Sequence, residues 1–300
     1  MSDLYPTKPY LDLKAIAILL FLCFLWGGNM AAIKFTIRGV EPIFAAGLRS
    51  LIASGLMLLW MGYRKESLFP RSFKKIHALV IGFLFGVEFC FIFLAMRFTL
   101  AGRAYIFLYT APFWVALGAH FLLTGDRLTW RRLGGLSLAF LGLILVFSEG
   151  LFHYSSQVLF GDFLMILAAL GWAATTVYIK RFFTQECTPF QTLLYQLLFS
   201  VPVLFLLSFI LESHPVRTID LTVFLALFYQ TIIVAFLSYW AWFYLIHIYP
   251  VTSLSAFSFF TPIFGVFLSS LLLREPLSLW LLIALALVSM GIYWVNKKPI

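Results

Sequence analysis

One carboxylate in this chain stands where a carboxylate is hard to keep. Of the twelve acidic residues only Glu88 lies well inside a long apolar run; the others fall in polar connections or near the ends of runs. A charged side chain at the centre of a bilayer costs about 3 kcal/mol or more unless it is paired, protonated or hydrated, so such a residue marks a functional site by default. Glu88 could bind a cationic group or carry a coupling proton. The alternative is structural: an ion pair or hydrogen bond with Arg49, the one basic residue that also falls within a run.

Around this charge the sequence offers rings and small polar groups at helical spacing. Trp26 and Asn29 are three residues apart and share a helix face, as do Trp172 and Thr175. Each pair sets an aromatic surface beside a polar group, which suits a small amphipathic substrate. The adjoining Gly27-Gly28 and Ala173-Ala174 are equally suited to close helix packing. Tyr109, and Tyr239 beside Ser238, add further rings and hydroxyls. Arg49 and Gln196, each seven residues after a proline, are read as structural braces. Pro112 and Pro262 each remove a helix hydrogen bond, as a hinge or as a fixed kink. Nothing points to catalysis, a metal or another cofactor: His77, His120, His153, His214 and His247 are scattered, and Cys23, Cys90 and Cys187 have neither metal-ligand nor disulfide spacing.

The elements that must position these residues are membrane helices. The chain is 63% hydrophobic and 11% charged, against about 25% charged in soluble domains, and apolar runs of about 20 residues recur along it. Ten runs begin near Leu13, Ile43, Ile76, Leu100, Leu133, Asp162, Phe190, Leu221, Leu254 and Leu277, the last ending near Val295. The first is too long for the apolar core of a signal peptide and stands as the first span. The net charge of +9 comes mainly from Lys and Arg between spans, which orient the chain in a membrane and give no nucleic-acid surface. An even count puts both termini on one side. Of the 21 basic residues, 14 fall on that side, 6 on the other and 1 within a span, so both termini are expected to be cytoplasmic.

The second half repeats the first. Phe24 to Gly28 aligns with Leu170 to Ala174, and Ile33-Lys34 with Ile179-Lys180, at a shift of 146. Pro42 meets Pro189 and Arg49 meets Gln196 at 147; Glu88 meets Ser238, and Thr110 to Phe113 meets Phe260 to Ile263, at 150. Asp126 to Thr129 meets Glu275 to Ser278, and Gly142 meets Gly291, at 149. Five spans repeated in tandem must enter the membrane from opposite sides, which gives two inverted halves, residues 13–149 and 161–296, around one shared site. The expected fold is thus an all-α integral membrane protein of ten helices in two inverted five-helix repeats around a central cavity.

Trp26 to Asn29 with Ile33-Lys34, Leu48-Arg49, Ala101 to Ala104, and Thr110-Ala111-Pro112 through Asp126-Arg127-Leu128-Thr129 resemble the EamA family of the drug/metabolite transporter superfamily. The pattern recurs from Trp172 to Lys180 and from Thr261-Pro262 through Arg274 to Leu277 and Gly291, so the resemblance covers nearly the whole chain. It departs at Gly125-Asp126, where the first copy commonly has Gly-Glu, and at Arg274-Glu275, where the second has lost the Gly. The resemblance implies a cavity lined by the first, third, fourth, sixth, eighth and ninth helices, with the fifth and tenth peripheral. It also implies a small-molecule carrier of the bacterial cell (inner) membrane, amino acids and related metabolites being frequent cargo and export the expected direction.

The expected mechanism is alternating access about Trp26, Asn29, Glu88, Tyr109, Trp172, Thr175, Ser238 and Tyr239. The expected partners are a small molecule and the lipid bilayer, with a coupling proton and a homodimer left open and no nucleic acid or cofactor. The competing readings are an importer or exchanger of a cationic or nucleotide-like metabolite, a non-transporting structural subunit, and a lipid-modifying enzyme, for which no polar cluster at one interface is evident.

Overall fold

The apolar runs fold as ten helices in the computed structural model, which describes residues 6–70, 73–151, 155–273 and 279–297. They are α1 (Leu13–Thr36), α2 (Pro42–Arg64), α3 (Lys75–Phe98), α4 (Ala101–Leu122), α5 (Trp130–Leu151), α6 (Ser156–Phe182), α7 (Pro189–Leu211), α8 (Leu221–Ile248), α9 (Val251–Leu268) and α10 (Leu279–Asn296). Among the described residues nine are long and apolar enough to cross a membrane, and α10 is a shorter apolar helix. A helix of 23 residues such as α2 rises about 35 Å at 1.5 Å per residue, enough for a hydrocarbon layer of about 30 Å. Arg71, Lys298 and the second-copy segment Arg274 to Leu277 lie outside the described residues.

Local chemistry sets the helix ends. Asp12 accepts the Ala15 amide at the start of α1, and Asp220 accepts the Val223 amide at the start of α8. Thr188 and Gln191 form a reciprocal capping box at the start of α7, with Pro189 in the first turn. The sixth helix begins at Ser156, capped by Ser155, and not near Asp162 as polarity alone suggests. Asp162 is instead buried within the first turns of α6, because Arg103 and Thr99 satisfy its carboxylate.

Four helices are interrupted. α1 breaks at Gly28, α4 at Tyr109-Thr110 and α9 at Ser258-Phe259. Pro112 and Pro262 sit in the first turn after the α4 and α9 breaks, where a missing N–H leaves no gap in the hydrogen-bond ladder. α8 runs as a π-helix from Tyr229 to Ser238 between two α-helical ends. In a solvent that offers no hydrogen bonds, the freed carbonyls at the α1 break need partners from the protein. Tyr105 supplies one, its hydroxyl donating to the Gly27 carbonyl at 2.8 Å, and Tyr229 supplies another by donating to the Leu25 carbonyl.

The two halves carry the same device at opposite ends. Lys34, near the end of α1, donates to the Met96 and Thr99 carbonyls where α3 ends. Its repeat partner Lys180, near the end of α6, donates to the Ile246 carbonyl where α8 ends. Asp12 at the start of α1 meets Tyr249 in the α8–α9 turn, whereas Asp162 at the start of α6 meets Thr99 in the α3–α4 turn. Each half thus runs antiparallel to the other.

α5 and α10, the last helices of the two halves, pack on each other along small residues. A Cβ on Gly135 would lie 2.6 Å from the Gly291 carbonyl oxygen, and one on Gly291 would lie 2.4 Å from that of Gly135. Both backbones therefore require glycine here. Gly135→Val should lower stability by about 1–3 kcal/mol through overpacking, read as a lower thermal unfolding midpoint in detergent; an unchanged midpoint would show that the seam is looser than described.

Candidate functional site

Midway along the helices a cavity opens between the halves. α3 contributes Phe85, Glu88, Phe89 and Ile92, and α1 contributes Trp26, Asn29 and Met30. From α6 come Trp172, Thr175, Thr176 and Ile179; from α4, Tyr105, Leu108 and Tyr109; from α8, Val234, Tyr239, Trp242 and Phe243; and from α7, Gln196. Of the residues expected from the sequence, Trp26, Asn29, Glu88, Tyr109, Trp172, Thr175 and Tyr239 face one cavity.

Ser238 is the exception and is not among the lining side chains. Its hydroxyl is committed on both sides, donating to the Val234 carbonyl at 2.6 Å and accepting the Trp26 indole N–H at 2.8 Å. It fixes the Trp26 ring and takes no part in the lining. α9 also contributes no lining side chain among the described residues. It stands one layer back, where its Thr261 neighbours the Tyr109 hydroxyl and its Phe257 carbonyl accepts the Cys23 thiol at 3.2 Å.

The rings are held edge against face. Trp26 meets Trp242 at 5.4 Å and Tyr239 at 6.2 Å between centroids, with interplanar angles of 73° and 80°; Tyr109 meets Trp172 at 5.7 Å and 86°. This geometry places the positive edge of one ring on the negative face of another. Tyr105 and Trp242, which sequence reading missed, obey the same helical spacing as the rings it found. Tyr105 is one turn before Tyr109, and Trp242 is three residues after Tyr239.

Among the described residues Glu88 is the one charged side chain in the lining, and it is 5% exposed. The fixed wall beside it is close, since a Cβ on Gly171 would come within 3.1 Å of its own Cβ. Thr175 is the neighbouring hydroxyl, but its proton goes to the Gly171 carbonyl at 2.9 Å. No ion pair within 4.0 Å reaches Glu88 among the described residues, so the contact pair with Arg49 that formed the structural alternative is not seen.

Arg49 lies behind the cavity wall and is fully buried. Its guanidinium sits 3.9 Å from the centre of the Phe89 ring and within 6 Å of the Phe85, Phe93 and Tyr239 rings. No hydrogen bond of regular geometry reaches its three nitrogens among the described residues; the groups that offset its charge are the Tyr239 hydroxyl and the Glu88 carboxylate. A desolvated cation–π contact contributes about 2 kcal/mol, less than the several kcal/mol by which burying one ion is opposed. Rings alone therefore do not offset the burial of this charge. Gln196, the repeat counterpart of Arg49, reaches the cavity wall instead.

Polar ties join the halves at both ends of the bundle. On the side of the chain termini, Asp126 accepts the Thr252 amide at 3.0 Å, and Asp12 accepts the Tyr249 hydroxyl at 2.8 Å. Lys8, the Ala15 amide and Tyr249 hold the Asp12 carboxyl well below its ordinary range. That tie is therefore present at neutral pH and is lost only as acidification passes the lowered value. On the opposite side, Glu212 accepts the Ile43 and Phe44 amides, and Asp162 pairs with Arg103 and accepts the Thr99 hydroxyl.

A helical membrane bundle of inverted halves around a central cavity has the architecture of a secondary carrier. The chain belongs to the EamA-like transporter family, whose profile matches it twice, over residues 13–148 and 159–297. It is 26% identical over 283 residues to a probable amino-acid metabolite efflux pump of Escherichia coli, covering 91% of this chain and 92% of that one. It is 32% identical over 298 residues to an uncharacterized transporter of Synechocystis, covering 92% and 87%. Another uncharacterized transporter, from Archaeoglobus fulgidus, is 29% identical over 295 residues and covers 95% and 98%. A solved crystal structure at 20% sequence identity superposes with a TM-score of 0.78, covering 95% of this chain and 97% of the other, and shares the fold. The protein is a multi-pass membrane transporter, with a small-molecule substrate and the lipid bilayer as its partners.

The buried Arg103–Asp162 pair makes a sharp prediction. Asp162→Asn should destabilise the protein by about 3–5 kcal/mol, because it strands a buried guanidinium, whereas the double variant Arg103→Met/Asp162→Leu should recover most of the loss. Thermal unfolding of the purified variants decides this, and a single variant as stable as the parent would contradict it.

Proposed function

We propose that the protein exports a small organic metabolite, an amino acid or a related amphipathic molecule, by alternating access of its halves, residues 13–149 and 161–296. The observation that carries this reading is a ring-lined cavity holding one carboxylate, placed where the two inverted halves meet. Trp26, Asn29, Tyr109, Trp172, Thr175 and Tyr239 form the substrate surface, and Ser238 orients Trp26. Glu88 serves as counter-ion to the substrate or as carrier of a coupling proton. Arg49 and Gln196 brace the wall, and the breaks before Pro112 and Pro262 let α4 and α9 bend as the cavity changes side.

Export is favoured by the efflux activity in the name of the Escherichia coli relative, and a cytoplasmic position for both termini by the distribution of Lys and Arg. In a bacterial cell the membrane would be the inner one. The polar ties at the two ends suit this mechanism: each joins the halves, and one set can open while the other closes. A homodimer is not required by this geometry, since each chain contains both halves of its own cavity.

Purified protein in liposomes, screened for flux of a metabolite panel with and without a pH gradient, tests the reading. Flux of at least one organic metabolite is expected, and its loss or its uncoupling from the gradient in Glu88→Gln. Absence of flux across a broad panel, from protein shown to be folded, would favour a structural membrane subunit instead.

A further inference from the structure

The cavity is asymmetric in charge, and this narrows its substrate. Among the described residues no basic side chain lines the cavity. Lys34 and Lys180 donate to the carbonyls at the ends of α3 and α8, and Arg103 is paired with Asp162. Arg49 is fully buried behind the rings of Phe85, Phe89 and Tyr239. A carboxylate entering the cavity would face Glu88 and find no cation in the lining.

A cation would find the reverse. Glu88 offers a buried carboxylate that no ion pair reaches among the described residues, and the surrounding rings carry negative faces that attract ammonium groups. Trp26, Trp172, Tyr109, Tyr239 and Trp242 all line the cavity beside it, so a bound ammonium would be surrounded by aromatic rings.

Building on the transport reading above, we propose that the substrate is an organic cation: a protonated amine on an aryl or alkyl body, lacking a carboxylate, with its ammonium against Glu88 and its apolar part among the rings. Amino acids share the ammonium but bring a carboxylate that the lining leaves unpaired, so they bind more weakly.

Three ligands with the same phenyl body separate the terms: phenethylamine, phenylalanine and 3-phenylpropionate, titrated against the purified protein by quenching of its tryptophan fluorescence and assayed for flux in liposomes. Phenethylamine is expected to bind at least tenfold more tightly than phenylalanine, with 3-phenylpropionate the weakest. Glu88→Gln should lower amine affinity at least tenfold, and Glu88→Asp should retain part of it. Phenylalanine or 3-phenylpropionate binding as tightly as the amine would overturn the inference, and this comparison needs only the parent protein should Glu88→Gln fail to fold. Amine affinity unchanged in a folded Glu88→Gln would overturn it as well. The two readings fail separately: amine binding with no flux of any ligand supports the cation site and contradicts transport, whereas flux of phenylalanine ahead of the amine supports transport and contradicts the cation site.

Discussion

Lipid offers no hydrogen bonds, so the polar groups buried at the ends of these helices take their partners from the protein itself. That constraint explains where the acidic residues went. Asp12 and Asp126, from the first half, accept hydrogen bonds from the second half on the side of the chain termini. Asp162 and Glu212, from the second half, accept from the first half on the opposite side. Carboxylates that reach amides, hydroxyls or an arginine at a helix end hold the halves together at their rims. Among the described residues Glu88 is the one acidic side chain in the cavity lining, and no ion pair reaches it.

The same constraint shapes the interrupted helices. A break exposes carbonyls, and here tyrosines supply the missing donors: Tyr105 and Tyr229 both serve the break in α1. These residues are therefore more than aromatic filling. Tyr105 lines the cavity while its hydroxyl is tied to Gly27, so the shape of the wall and the bend of α1 are mechanically linked. The Trp26 indole is likewise held by Ser238 in the π-helical stretch of α8. A change in the winding of α8 would move Trp26 directly.

Much of this was legible in the residues. Apolar run length marks the helices, and the constant offset between Trp26 and Trp172, and between Lys34 and Lys180, marks the duplication. Seven of the eight proposed lining residues share one cavity: Trp26 with Asn29 and Trp172 with Thr175 were readable from helical spacing, and Glu88 from its charge inside an apolar run. Ser238 was misplaced because the alignment that paired it with Glu88 crosses a π-helix, where the rotation per residue differs from that of α3. The start of α6 was misplaced because a buried aspartate looks like a boundary until its arginine is seen, and Arg103 lies 59 residues away in the chain. Gln196 was read as a brace by analogy with Arg49, yet the shorter side chain reaches the cavity wall while the longer one is buried behind Phe89.

The proposed transport requires two opposed halves to open one cavity alternately to either side. Spin labels at the exposed positions Thr124 and Gln185 report the separation of the halves on the side of the termini, and labels at Leu100 and Ser156 report it on the other. Pulsed electron-spin distances in lipid nanodiscs, taken with and without substrate or a pH gradient, should shift in opposite senses, one pair widening as the other narrows. Two pairs that both stay fixed, or that widen together, would contradict the account.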